Sequence, residues 1–304
     1  MYTLPEGVTF FERGWLSANN ILIQDADQAI LVDTGYWTHA AQTAALVKTS
    51  LGGRRLTCLF NTHLHSDHCG GNAHLQTVYP ELQTFIPPGH AHLVDEWNAT
   101  ALTYTPTGQH CPRFVKTGLL RDGDSFLIAG KCWRIHAAPG HDPHSVLIFN
   151  EDDKILISAD ALWENGFGVV FPEIEGVDAF DEVASTLEII ERLNPALVLP
   201  GHGGAFANVS DALFRARTRL NQFKSAPDKH ASYAAKVLLK FKLLELQKTT
   251  LSEFLAWAQD ASYLQLLHRR YAGNQSFEAW HLALCHSLEK AGACALIDAD
   301  IVNK

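Results

Sequence analysis

Four side chains that can bind a metal ion fall within the six-residue segment HLHSDH (63–68). They are His63, His65, Asp67 and His68. The apolar run LTCLFN (56–61) before this segment predicts a buried strand. Because successive residues of a strand point to opposite faces, we expect the four side chains to lie on a loop that directs them to one point. Imidazole and carboxylate groups together favour zinc, iron or manganese over calcium.

Three more candidate ligands follow other strand-like runs. His141 comes after KCWRIHAA, Asp160 ends KILISAD, and His202 comes after ALVLP. In α/β sheets, ligands bind at the carboxyl ends of the strands. The sequence therefore predicts one metal site that is assembled from four separate segments.

Five motifs stand in the order that is typical of metallo-β-lactamase-fold proteins, and the chain resembles that superfamily over roughly residues 10–204. The motifs are LVDTG with Asp33, HLHSDH, PGH (139–141), SAD (158–160) and PGHG (200–203). The resemblance implies an α/β (α+β) fold, a four-layer αββα sandwich with the metals at one edge between its two sheets. Among its subgroups, glyoxalase II and lactamase-like hydrolases with a helical C-terminal domain are the most similar in organisation.

The resemblance also implies two complete ligand sets. One metal would take His63, His65 and His141, the second would take Asp67, His68 and His202, and Asp160 would bridge the pair. In such proteins, the residue at the position of Asp33 orients the ligand loop. We therefore expect two divalent cations, with zinc preferred and iron or manganese as alternatives.

Two neighbouring cations predict a hydrolase. Together they bring the pKa of a bridging water toward neutrality, and the resulting hydroxide would attack an electrophilic carbonyl or phosphoryl group. Asp67 and Asp160 are the candidate catalytic residues. The sequence has no GxSxG elbow and no evident Cys–His pair that would supply a protein nucleophile.

The elements that must position these residues change character near residue 205. Before it, short β-type runs alternate with helical stretches, including one that Asp178 would cap and that carries Val183, Leu187 and Ile190. After it, apolar residues recur at helical spacing, as in Tyr233, Val237, Phe241 and Leu244, a stripe that we interpret as packing. We predict a catalytic domain over 1–205 and a small all-helical domain over 206–304, with a winged-helix-like arrangement as one candidate.

Composition predicts a globular, soluble and cytoplasmic protein. Hydrophobic residues make up 47% and charged residues 19%, and the opening MYTLPEGVTF lacks the regions of a signal peptide. We expect no membrane-spanning segment and six free cysteines. The net charge of −9 disfavours nucleic acid, but residues 205–304 carry 13 basic and 9 acidic side chains.

Departures from known subgroups narrow the substrate. Class B β-lactamases commonly place Cys where Asp160 stands, flavodiiron proteins place Glu at His65, and β-CASP nucleases insert a large domain. Glyoxalase II has a basic glutathione-binding motif that this chain lacks. We favour a small carbonyl substrate: a thioester, ester or lactone.

Two other functions stay open. One is a metallo-ribonuclease on single-stranded RNA, for which the basic residues of the helical domain could hold phosphates. Those residues are Arg215, Arg217, Arg219, Lys224, Lys236, Lys240 and Lys242. The other is a binding protein on an inactive hydrolase scaffold, against which the complete ligand set argues. The oligomeric state is open.

Two segments could shape the substrate pocket or support the ligands. Trp163 and Asn165 belong to the glycine-containing loop that follows Asp160, and we expect them near the metals. His144, three residues after His141, is a candidate for orienting a ligand or facing the substrate.

Overall fold

The computed structural model describes residues 3–304. A six-stranded sheet is formed in the order β1-β2-β3-β4-β5-β6, with antiparallel pairs up to β3 and parallel pairs beyond it. Its strands are β1 (Val8–Phe11), β2 (Asn20–Gln24), β3 (Ala29–Val32), β4 (Cys58–Phe60), β5 (Gln83–Ile86) and β6 (Gly118–Leu119).

A five-stranded sheet faces the first, in the order β11-β10-β9-β8-β7. Its strands are β7 (Ser125–Ile128), β8 (Lys131–Ala137), β9 (Val146–Asn150), β10 (Ile155–Ala159) and β11 (Leu197–Pro200). The pair β10–β11 is parallel and the other pairs are antiparallel.

Helices occupy the outer layers and the C-terminal third. They are α1 (Ala40–Leu51), α2 (Ser66–Cys69), α3 (Asn72–Val78), α4 (Ala91–Glu96), α5 (Phe171–Glu175), α6 (Phe180–Leu193), α7 (Val209–Ser225), α8 (Pro227–Leu246), α9 (Leu251–Asp260), α10 (Ser262–Tyr271) and α11 (Phe277–Lys290). Within residues 3–304, none of them combines the length and apolar character that crossing a bilayer requires.

Three apolar clusters give the main body four layers. The first lies between the sheets, where Ile21 and Ile30 pack with Ile148 and Leu199. A second joins the outer face of the six-stranded sheet to α1, and a third joins the outer face of the five-stranded sheet to α6 and α7. Strands that are buried on both faces read as near-continuous apolar runs, which is why their periodicity in the sequence is weak. The expected αββα arrangement is confirmed.

The start of α6 differs from the sequence expectation. The side chain of Asp178 does not cap the helix; instead, Glu173 Oε1 accepts hydrogen bonds from the backbone N–H groups of Ala179 (2.7 Å) and Phe180 (3.0 Å). A carboxylate from the preceding helix therefore satisfies donors that local sequence would assign to Asp178.

The C-terminal region is helical, as expected, and also contains a small sheet. Its strands are β12 (Lys248–Thr250), β13 (Cys294–Ile297) and β14 (Asp300–Asn303), in the order β12-β14-β13. The apolar run near the C-terminus forms a hairpin because Asp298 turns the chain with a positive φ of 55°. Helix α8, strand β12, helices α9 to α11 and the final hairpin follow one another along the chain, and a winged-helix-like arrangement stays a prediction. The predicted division at 205/206 assigns α7 to the C-terminal domain, but α7 packs on the five-stranded sheet of the main body. The division therefore stays a prediction.

Candidate metal centre

All seven predicted ligands lie at the same edge of the two sheets. Four of them follow β4, where the chain passes through a short loop into α2, and the others follow β8, β10 and β11. Their ligand atoms fall into two groups, each within 4.8 Å. The first group is His63, His65 and His141, and the second is Asp67, His68, Asp160 and His202.

The first group is a triangle of imidazole nitrogens. His63 Nε2 lies 3.0 Å from His65 Nδ1 and 3.3 Å from His141 Nε2, and the last two nitrogens are 2.9 Å apart. Three nitrogens that bind one zinc ion tetrahedrally at 2.0–2.1 Å would be about 3.3 Å apart. Each ring nitrogen either donates or accepts a hydrogen bond, and three nitrogens in a triangle cannot alternate between the two roles. Hydrogen bonds alone therefore cannot satisfy all three contacts. A shared cation satisfies all three lone pairs at once, and the geometry therefore fits a divalent metal.

The second group combines two carboxylates and two imidazoles. His202 Nε2 lies 3.1 Å from Asp67 Oδ2, and His68 Nε2 lies 3.4 Å from Asp160 Oδ1. His68 Nε2 is buried without a hydrogen-bond partner among the described residues, which leaves a polar nitrogen aimed at these carboxylates. Such an orphaned atom needs a ligand that the protein does not itself provide, and a cation bound there would supply it.

Asp160 stands between the two groups. Its Oδ1 faces His68, and its Oδ2 lies 3.4 Å from His141 Nε2 on the opposite side. The carboxylate is therefore placed so that one oxygen could serve each group. The Trp163 indole N–H donates to Oδ1 (3.2 Å), which helps to fix the orientation of this carboxylate.

Burial sets the protonation of the first group. It is the largest cause that holds the pKa of His63 well below its usual range, lowers that of His65 to about 4, and lowers that of His141. Neutral imidazoles present the free lone pairs that metal binding requires. All three histidines are therefore in the protonation state of a ligand at neutral pH.

The second group is electrostatically coupled. Burial opposes charge on Asp160, but His68 and His202 bring the pKa of this carboxyl well below its usual value. Burial also works against a charged His68, yet Asp160 and Asp33 raise the pKa of that imidazole well above its usual value. The carboxylates therefore favour positive charge at the place that a cation would fill.

Asp33 supports the ligand loop from beneath. Its Oδ2 lies 2.7 Å from His68 Nδ1, and its two oxygens accept from the backbone N–H (2.9 Å) and hydroxyl (2.7 Å) of Thr62. Asp33 is only 2% exposed and has a positive φ of 58°. A strained, buried carboxylate that fixes an imidazole from behind is typical of an outer partner in a metal site.

Two further groups lie beside the first set of histidines, and sequence reasoning missed both. The Val169 carbonyl accepts from His141 Nδ1 (2.5 Å), and Asp142 Oδ2 lies 3.8 Å from His65 Nε2. A carbonyl carries no side-chain signal, so only the fold reveals it. His144 supports Asp142 through its backbone N–H (2.7 Å), while its ring packs on His90 at 4.4 Å. The His144 ring is not among the side chains that line the cleft above the two groups.

A cleft of about 330 Å³ opens above the two groups. Trp163 and Asn165 line it, as the sequence suggested. The residues that sequence reasoning missed come from distant segments: Trp15, Thr103, Thr107, Gln109, Phe171, Arg219, Tyr233, Val237, Leu238 and Phe241. Trp15 stacks on His202 (5.2 Å between ring centroids, 5° between planes) across 187 positions of sequence, and no local pattern could have indicated that contact.

Two glycines allow the ligands to approach the backbone. A Cβ at Gly201 would lie 2.2 Å from Asp160 Oδ1, and one at Gly168 would lie 2.3 Å from His141 Nδ1. Both distances are far inside van der Waals contact. Glycine is therefore required at these positions by the side chains that they face.

Comparison with known proteins places the chain in a family. The model of the metallo-beta-lactamase superfamily matches residues 13–202. Human acyl-coenzyme A thioesterase MBLAC2 is 25% identical, over 68% of this chain and 79% of its own length. A hydroxyacylglutathione hydrolase from Crocosphaera subtropica is 27% identical, over 49% of each protein.

A solved structure has the same fold along nearly the whole chain. The metallo-beta-lactamase family protein TTHA1429 from Thermus thermophilus aligns with a TM-score of 0.56 and 22% identity, over 99% of this chain and 100% of its own. The family match spans every segment that contributes to the two ligand groups. The chain is a hydrolase that belongs to the metallo-beta-lactamase superfamily.

Proposed function

We propose that the protein is a binuclear metal-dependent thioesterase, within the wider class of hydrolases that attack a small carbonyl substrate such as an ester or lactone. The observation that carries this proposal is the position of Asp160. Its two carboxylate oxygens face two separate ligand groups on the floor of one open cleft. Zinc is our preferred metal, and iron or manganese would suit the same ligands.

The residues of the two groups would have separate roles in binding the metals and in positioning a water. His63, His65 and His141 would hold one metal, and Asp67, His68 and His202 the other, with Asp160 between them. When bound, the two cations would lower the pKa of a water and offset the negative charge that develops on the carbonyl oxygen. The Asp67 side chain keeps 14% of its surface exposed at the cleft, so it can align that water and accept its proton.

The relatives favour a thioester within the carbonyl class. One is named as an acyl-coenzyme A thioesterase, and the other is named as a hydroxyacylglutathione hydrolase. The cleft of this chain also suits a substrate with an apolar part, because Trp15, Phe171, Val237 and Phe241 line it.

Six of the seven basic residues, all except Lys236, have defined partners, which argues against a ribonuclease. Arg217 forms two hydrogen bonds with Glu191 (2.8 and 2.9 Å), and Lys224 pairs with Asp181. Arg215 and Arg219 donate to the carbonyls of Glu164 and Phe167.

The two remaining lysines with defined partners are also engaged. Lys240 donates to the Asn303 side chain and to the carbonyls of Ala293 and Lys304, and Lys242 pairs with Glu245 at 2.8 Å. Guanidinium and ammonium groups that are already paired bind phosphate less readily. We therefore keep RNA cleavage only as the second outcome of the test.

The test is a paired assay on protein of measured metal content. Thioesters, esters and lactones would be compared with short single-stranded RNA at about 50 mM and about 500 mM salt, because phosphate binding weakens steeply with salt. We expect thioester turnover that changes by less than about twofold between the two salt concentrations. His65→Ala should be inactive. The control His92→Ala, at an exposed position of α4, should be fully active. RNA cleavage that collapses at high salt, without thioester turnover, would refute the proposal.

A further inference from the structure

A second cavity, of about 370 Å³, adjoins the cleft on the side of the C-terminal region. Trp15, Tyr233, Val237 and Phe241 line both cavities. The two spaces therefore lie next to each other along one side of α8. We call the second cavity the α8–α11 groove and define its far end by Leu244, Ser287, Leu288 and Ala291, which line it but not the cleft.

The walls of the α8–α11 groove suit a hydrocarbon. Aromatic and aliphatic side chains from α8 and α11 form most of the lining. Lys240 contributes its stem, while its ammonium group is turned to Asn303 Oδ1 and the Ala293 carbonyl, at 2.6 Å each. A lysine in this arrangement presents methylene groups to a neighbouring cavity and keeps its charge elsewhere.

Trp15 marks the junction of the cleft and the groove. Its indole stacks on His202 and lies edge-on to Trp163 at 5.3 Å, yet 56% of its surface is exposed. A large exposed aromatic ring beside two cavities offers apolar surface that a ligand passing between them would cover.

We propose that the α8–α11 groove binds the chain of a medium- or long-chain acyl thioester whose carbonyl lies over the two ligand groups. This proposal rests on the proposed function, because the cleft must hold the reacting carbonyl. The shared wall of the two cavities selects this occupant: an acyl chain attached to a carbonyl in the cleft would pass Trp15 to reach the groove. The leaving thiol then lies toward the polar wall of the cleft, where Thr103, Thr107 and Gln109 stand.

The first experiment varies the acyl chain alone. N-acetylcysteamine thioesters of butanoic, octanoic and dodecanoic acid would be assayed below their micelle-forming concentrations, so that only the number of methylenes changes. We expect kcat/KM to rise by about tenfold or more from butanoyl to dodecanoyl, since each methylene that leaves water favours binding. A flat profile would overturn the proposal and leave the thioesterase function standing.

The second experiment blocks the far end of the groove. Ser287→Trp introduces an indole at an exposed position of α11 that lines the groove, whereas Leu282→Trp adds the same ring to exposed surface outside the lining. We expect Ser287→Trp to lose the gain with dodecanoyl and to keep butanoyl turnover within about twofold. Leu282→Trp should behave as wild type. Equal dodecanoyl rates in both tryptophan variants would contradict the proposal.

A binding measurement separates this proposal from the proposed function. S-dodecyl-N-acetylcysteamine, a thioether that cannot be hydrolysed, would be titrated by calorimetry into wild type and Ser287→Trp. Binding to wild type that the variant weakens by about tenfold supports the groove even if no thioester is turned over. Absence of binding overturns the proposal. A dimer of the wild type in light scattering that Ser287→Trp dissociates would also overturn it, because a second copy would then cover the groove.

Discussion

At the scale of single residues, the centre depends on groups that contact a ligand from behind. Asp33 is the clearest, because both of its oxygens accept hydrogen bonds from Thr62 and one also faces His68. Because Asp33 is buried, water could not take the place of its negative charge if that charge were removed. The imidazole of His68 is therefore held by a partner that never reaches the cleft.

Asp33→Asn should weaken metal binding by about 10- to 100-fold without unfolding the protein, because the amide keeps the shape but loses the charge. Competition with a chromogenic chelator would measure the affinity, and circular dichroism the fold. Asp27→Asn, at an exposed turn, is the matched control. Wild-type affinity in Asp33→Asn would show that the carboxylate has no part in the site.

A methyl group is a second probe at this scale. Gly201→Ala would place a Cβ 2.2 Å from Asp160 Oδ1, while the first atom that a Cβ at Gly204 would meet is Glu12 Oε2 at 3.5 Å. We expect Gly201→Ala to be purified with clearly less than the wild-type metal content and Gly204→Ala with all of it, as measured by plasma emission spectrometry. Equal contents would mean that the Asp160 carboxylate can move aside at no cost to the site.

At the scale of elements, α8 supports the loop that follows β10. His230 Nε2 accepts from the Val170 N–H (3.1 Å), and the neighbouring Val169 carbonyl accepts from His141 Nδ1. The helix therefore reaches the first ligand group through two hydrogen bonds. The hydrogen bond from the Val170 N–H requires a neutral His230, because Nε2 must accept. Burial lowers the pKa of that imidazole to about 4.

The pKa of His230 predicts a loss of stability in acid. Between about pH 6.5 and pH 4, the unfolded chain binds a proton that the folded chain excludes, so the free energy of unfolding falls as the pH falls. From about pH 7 to pH 5, this group should account for about 2 kcal/mol. Urea unfolding of His230→Gln, which keeps an acceptor but does not titrate, should show a correspondingly shallower pH dependence. An exposed-site control, His92→Gln, should match wild type; an unchanged slope in His230→Gln would contradict the assignment.

The elements also show which parts of the site local sequence can predict. The convergence of the seven candidate ligands was predictable because each follows a strand that reads as an apolar run. The stripe that includes Tyr233, Val237 and Phe241 was interpreted as packing, but these residues also line the cleft. Periodicity identifies the apolar face of a helix; it does not reveal whether a cavity lies against that face.

At the scale of the whole molecule, the site is a convergence of segments far apart in sequence. Strands of both sheets lead to candidate ligands, so the two halves of the sandwich meet at the candidate centre. A cation that binds only the folded arrangement adds its binding free energy to the stability of the fold. Metal content and thermal stability should therefore change together.

Chelation should lower the melting temperature by about 5 °C or more, and added zinc should restore it. Differential scanning calorimetry of wild type and His63→Ala, each with and without chelator, would measure this. The variant lacks one ligand of the first group, so its difference should be smaller than that of wild type. A melting temperature of wild type that chelator leaves unchanged would count against resident metals.

One feature of α8 bears on how such a protein could diverge. This helix walls the cleft and the α8–α11 groove, yet within residues 3–304 neither ligand group includes a residue from it. Substitutions at Val237, Phe241 or Leu244 can thus reshape what is bound while the residues that would carry out hydrolysis stay the same. If the groove binds the acyl chain as proposed, chemistry and selectivity would reside on different elements, and a change of substrate would require substitutions on only one helix face.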